Sequence, residues 1–131
     1  MPRAAAALRA AAKPATGCAM TMRVYKLLTE TDWNAAEASG RTSSAVDLAD
    51  GHVHLSTSAQ VRETARRYFG GEGRVKLLRF DPDTLGDIRW EASRGGDLFP
   101  HLYGALMIAK AEASWWLLPG ADGALVFPED I

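Results

Sequence analysis

A chain of 131 residues, 47% of them hydrophobic, fits a single domain that buries its own core. Fifteen basic against 16 acidic side chains exclude a global field for nucleic acid, and one cysteine, Cys18, excludes an internal disulfide or a cysteine-based zinc knuckle. No apolar run nears the roughly 20 residues that span a bilayer, so we expect a cytoplasmic protein with a small-molecule or transient partner.

Residues 1–21 are alanine-rich, carry Arg3, Arg9 and Lys13, and precede the first acid, Glu30. Arg9 and Lys13 interrupt any signal-peptide core, and the segment is expected to be a disordered extension. The domain should run over 22–131. Its first strand is Arg23 to Leu28, which is short and alternating. Thr29 with Asp32 resembles a capping box opening a helix that Gly40 stops, with Trp33 and Ala36 on its buried side. Residues 41–51 look polar and turn-forming, and His52 to Ser56 forms the second strand.

Thr57 with Gln60 suggests a second capping box, and the helix it opens ends before Gly70. Val61, Ala65 and Tyr68 or Phe69 recur at helical spacing as core positions. Arg74 to Phe80 is a third strand and Ile88 to Glu91 a fourth. Residues 92–104 are expected to be a long loop dense in glycine and aromatics. Ala105 to Lys110, Glu112 to Leu118 and Gly123 to Phe127 complete the strands. Strands clustered after two main helices predict an α+β fold with a small split or largely antiparallel sheet.

Side chains alternate along a strand. His52, His54 and Ser56 then share one face, and Val53 and Leu55 face the core. A helix starting at Thr57 or Ser58 would add its N-terminal amides, which suit phosphate or carboxylate. The loop contributes Glu91, Arg94, Asp97, His101 and Tyr103, more chemistry than an idle connection carries.

The stretches VYKLL, SAVDLADGHVHLSTSAQV, LRFDPDTLG and RWEASRGGDLFPHLYGAL, with Trp33 and the closing LVFP, resemble the domain of unknown function 952 family over residues 22–128. These are small bacterial proteins without an established activity. VYKLL, a helix, then HVHLS before another helix is distantly similar to the ADP-ribosyltransferase half of the RNA 2′-phosphotransferases. That resemblance implies an ADP-ribosyltransferase-like cleft for NAD or an ADP-ribose-like ligand. His52, His54 and Ser56 occupy its second motif, whereas Lys26 and Leu27 replace the histidine and glycine of its first. Glu91 and Glu112 stand in for a catalytic glutamate, and the arginine-bearing RNA-binding domain is absent.

On this reading His52 or His54 grips phosphate or ribose, and Ser56 bonds the nicotinamide or base. His101 or Tyr103 closes over the ligand, with Tyr25, Thr57, Arg94 and Glu91 also in the site. Two rival readings rank below it. One is a metal site of His52, His54 and His101 with Asp47 or Glu91 nearby, since three nitrogens and an open water position suit catalytic zinc. No metal-specific spacing beyond His-x-His supports it, and no metal is expected. The other is a non-enzymatic interaction module using the aromatic loop.

Overall fold

The structure is a computed structural model that describes residues 22–131, with the side chain of Arg94 left out. The expected extension at 1–21 lies outside the described residues. The element order is β1 (Val24–Thr29), α1 (Glu30–Ser39), α2 (Ala45–Asp50), β2 (Val53–His54), β3 (Ser56–Thr57), α3 (Val61–Tyr68), β4 (Val75–Phe80), β5 (Ile88–Ala92), β6 (Leu98–Leu102) and β7 (Ala113–Leu117). The strands form two antiparallel sheets, one ordered β3-β1-β4-β7 and the other β2-β6-β5. The expected α+β class with antiparallel sheets is what forms.

The first sheet is apolar on both sides. Val24 and Leu28 of β1 and Leu78 and Phe80 of β4 face a core shared with Val53, Leu55, Ile88, Trp90 and Leu102 of the second sheet region. Tyr25, Leu27, Val75 and Leu77 face the other way, onto Val61 and Ala65 of α3 and onto Leu117. Each large apolar side chain so buried contributes about 1.5–3 kcal/mol, which fixes the register Leu27↔Leu77 and Lys26↔Leu78. The expected helix caps are present at α1: Thr29 Oγ1 accepts from the Asp32 amide at 3.1 Å, and Gly40 closes the helix at φ 86°. Trp115 turns towards the core of α3, while Trp116 on the opposite face lies under Arg74 and Lys76.

Four expectations are corrected. Residues 45–50 are a third helix, α2, rather than turns; Ser44 holds the extended N-cap position and Gly51 the left-handed stop at φ 80°. The segment His52 to Ser56 is two short strands in different sheets. Val53 and His54 pair with Leu102 and His101, whereas Ser56 and Thr57 pair with Tyr25 and Val24. The chain crosses between sheets at Leu55, whose amide donates to Pro100 O at 3.0 Å. The expected loop 92–104 contains β6, the central strand of the second sheet. Finally, Ala105 to Lys110 ends in a 3-10 turn over Ile108–Lys110, and Gly123 to Phe127 contributes only the bridge Pro119↔Leu125.

Candidate functional site

The second sheet has one apolar and one polar face, and the alternation dictates which residues share it. Val53, Leu102, Ile88 and Trp90 face the core. His54 stands across from His101, Arg89 across from His101 on its other side, and Glu91 across from Phe99. Their face therefore carries His52, His54, Arg89, Glu91, His101 and Tyr103. The rings of His52 and His101 stack at 4.2 Å, His52 and His54 are 4.6 Å apart, and His54 meets His101 edge-on at 5.2 Å. Tyr103 lies 5.0 Å from His52.

Two of the three imidazoles are fixed by carboxylates. Asp47, on α2, contacts His54 Nδ1 at 2.6 Å with Oδ1 and accepts the His54 amide on the same oxygen at 3.1 Å. Its Oδ2 takes Lys26 Nζ of β1 at 2.6 Å, and Lys26 also donates to His54 O. Glu91 Oε1 contacts His101 Nδ1 at 2.7 Å and accepts from the Tyr103 hydroxyl at 2.8 Å. Asp50, the last residue of α2, lies 3.0 Å from His54 Nε2. His52 Nε2 is shielded from solvent and makes no hydrogen bond.

The electrostatics follow from burial and pairing. Burial opposes ionisation of Asp47, but the hydrogen bonds from His54 and the charge of Lys26 outweigh it and hold the carboxyl at about 2. Burial in turn lowers Lys26, against the attraction of Asp47. His52 and His101 are both pushed below the usual imidazole value, first by burial; neighbouring histidines add to the shift in each. Glu91 is lowered despite burial because His101 and Tyr103 hydrogen-bond its charged form.

Beside this cluster lies a cleft of about 490 Å³, within the range of small-molecule sites. It opens where the chain leaves one sheet for the other. β3 pairs β1 only at Val24 and Tyr25, so Lys26, Leu27 and Thr29 border the cleft with no strand beside them on that edge among the described residues. Tyr25, Phe69 and Phe99 supply aromatic walls, Ser44, Ser56 and Thr64 supply hydroxyls, and His54 and His101 close one end.

Most predicted site residues converge. His52, His54, Glu91, His101 and Tyr103 share one polar face, and Tyr25, Ser56, His54 and His101 line the cleft. Ser56 is not in line with the histidines as expected, because the crossing at Leu55 puts it in the other sheet, where its Oγ lies 3.2 Å from Thr64 Oγ1. The helix amides expected at Thr57 and Ser58 are not helical, since α3 starts at Val61 and the Thr57 amide is taken by Gln60 Oε1. Glu112 pairs with Arg23 and Arg79, away from the site. Arg94, expected to bind ligand, lies in the β5–β6 connection and its side chain is outside the described set. Sequence reasoning underrated Lys26, Asp47 and Asp50. The signal for Asp47 was Ser44 as an N-cap residue with Gly51 as the stop, which bound α2 although the Ser44 hydroxyl makes no capping hydrogen bond.

These features define a small two-sheet α+β protein with a histidine-rich cleft at the split. The family described as protein of unknown function (DUF952) matches residues 27–114, and the chain belongs to it. The X-ray crystal structure of protein CC0527 from Caulobacter crescentus is similar at 45% identity, over 79% of this chain and 93% of that one, with a TM-score of 0.74. The solution NMR structure of CC0527 is 47% identical over 79% of this chain and 90% of that one, with a TM-score of 0.68. No curated protein matches. Among the described residues no helix is long and apolar enough to cross a membrane.

Proposed function

We propose that the cleft binds a nucleoside-type ligand of the NAD or ADP-ribose class, in a pocket of ADP-ribosyltransferase-like shape, with its base or nicotinamide end seated against β1. The observation that carries this reading is the open edge of β1 inside the cleft. A strand edge without a neighbour offers main-chain donors and acceptors in a fixed row, and a ring carboxamide or a base edge complements such a row. Tyr25, Phe69 and Phe99 supply apolar surface for a flat ring, and Ser56 and Ser44 supply hydroxyls. The ligand's reactive bond would then lie towards His54 and His101.

The charge distribution sharpens the reading. Among the described residues Lys26 is the one lysine or arginine lining the cleft, and Asp47 already neutralises it. Asp32 and the nearby Asp50 and Glu91 add negative charge. Phosphates therefore gain little, and the ring end carries the affinity. Calorimetry in the presence of chelator should give NAD a Kd in the micromolar to millimolar range. Nicotinamide should retain a measurable share of that affinity, and Phe99→Ala should weaken both severalfold. Absence of heat for NAD, ADP-ribose and nicotinamide at millimolar concentration, between pH 6 and 8, would refute the reading.

A further inference from the structure

We infer that His52, His54 and His101 form a zinc-class metal site at the end of the cleft. One ring nitrogen from each lies within 4.8 Å of the other two. Tetrahedral zinc with Zn–N bonds of about 2.0–2.1 Å needs nitrogens roughly 3.3 Å apart. Small ring rotations of the partly exposed His52 and His54 would close the difference, with His101 held as the buried anchor.

The surroundings match what a metal requires of its ligands. A metal-bound imidazole usually donates its other N–H to a carboxylate, which fixes the ring and its tautomer. Asp47 stands at His54 Nδ1 and Glu91 at His101 Nδ1, so each ring has Nε2 left for a ligand. Both carboxylates are themselves held, by Lys26 and by the Tyr103 hydroxyl. The third ring carries the independent observation: His52 Nε2 is shielded from solvent and has no hydrogen-bond partner among the described residues. Leaving a buried nitrogen unpaired is costly, and coordination supplies its partner.

Charge and chemistry select the ion. Among the described residues Asp47, Asp50 and Glu91 flank the cluster, against Lys26, which Asp47 pairs, and Arg89, which Asp87 pairs; the surplus of carboxylates favours a dication. Imidazole nitrogens suit zinc, nickel and copper, whereas calcium and magnesium call for oxygen ligands. Three protein nitrogens leave a fourth position open towards the cleft, where a metal-bound water could act on a ligand. Occupancy would remove the present contact between His54 Nε2 and Asp50.

The site stands on its own residues and does not depend on what fills the cleft. The full chain, produced without a histidine tag and stripped with chelator, should be titrated with zinc chloride by calorimetry and checked by elemental analysis. One equivalent should bind and the Tm should rise by several degrees. Cobalt(II) should give visible d–d absorption bands of a low-coordinate nitrogen site. His52→Ala, whose ring makes no hydrogen bond through Nε2, should weaken zinc binding at least tenfold while keeping the native circular dichroism. Glu91→Gln should weaken it about 10–100-fold, as loss of an orienting carboxylate does, and Arg66→Ala should change nothing. Substoichiometric zinc at a tenfold molar excess, or equal affinity in the folded His52→Ala variant, would overturn the inference. Nucleotide titration in chelator reports on the cleft alone, so either proposal can fail while the other survives.

Discussion

The two sheets bury their strands differently. β1 and β4 are apolar on both faces, and nearly every side chain between Val24 and Leu28 and between Val75 and Leu78 is buried. β2, β5 and β6 bury one face and leave the other to histidines and carboxylates. Polar side chains tolerate a strand only where water, a partner or a ligand can satisfy them. Of the two lysines buried in the double-faced sheet, Lys26 meets that condition by reaching across the split to Asp47 and His54, and Lys76 by lying over the Trp33 and Trp116 rings. The first sheet is therefore mainly scaffold, with the edge of β1 bordering the cleft, and the second holds the histidines and their carboxylates.

The sharpest test removes the ionic link between them. Asp47→Ala leaves Lys26 buried without its carboxylate and strips His54 of its orienting partner, which should cost about 3–5 kcal/mol. Chemical denaturation would measure it, and a loss under 1 kcal/mol would mean that the Lys26 bridge adds little to the apolar contact and the Leu55–Pro100 hydrogen bond that also join the sheets. The same link sets a pH dependence. The folded carboxyl of Asp47 is held at about 2 against about 3.9 in an unfolded chain. A depressed carboxylate stabilises fully above the unfolded value, so that stability should fade as pH drops from about 4 towards 2. Melting temperatures of wild type and Asp47→Ala should accordingly converge in that window.

Next in size is Leu77→Ala, which opens a cavity on the α3 side of the scaffold sheet and should cost about 2–5 kcal/mol in the same assay. It should leave the zinc titration unchanged; altered metal binding would mean that the scaffold is not independent of the histidine cluster. Tyr103→Phe removes one hydrogen bond to Glu91 and should cost about 0.5–1.5 kcal/mol. A larger loss would place part of the open face in the core. The smallest effect is expected at Arg89→Ala, half exposed, paired with Asp87 and stacked 4.2 Å from the Tyr103 ring. Its stability change should stay within about 0.5 kcal/mol.

The double-faced sheet was the easier one to see in the sequence. VYKLL and VKLLRF are continuous runs of strand formers, and Thr29, Asp32 and Gly40 punctuate α1 with side-chain chemistry. β6 hid behind Pro100, which cannot donate to a ladder and normally demotes a strand; here its carbonyl accepts the Leu55 amide while its ring packs in the core. α2 hid because six residues are too few to show a period. Both omissions bear on the site. With β6 unrecognised, His101 looked like a loop residue able to close over a ligand, whereas its ring is fixed beside Glu91 in mid-sheet. With α2 unrecognised, Asp47 had no helix to carry it beneath His54. The histidines themselves were legible from His-x-His and FPHLYG. Their clustering depends on a pairing across 47 positions that local pattern does not encode.

The crossing at Leu55 has a consequence for how the molecule breathes. The Leu55 amide is tied to Pro100 O, its neighbours on either side belong to different sheets, and its side chain is 2% exposed. Sliding the sheets past each other would break that hydrogen bond together with the Lys26 bridge and the shared core. Deuterium exchange at this amide should therefore proceed only through global opening, at the rate of the slowest protons of β1 and β4. Amides near the exposed β5–β6 connection should exchange through local fluctuations. On that timescale the floor of the cleft is rigid, and any adjustment to a ligand falls to its rim.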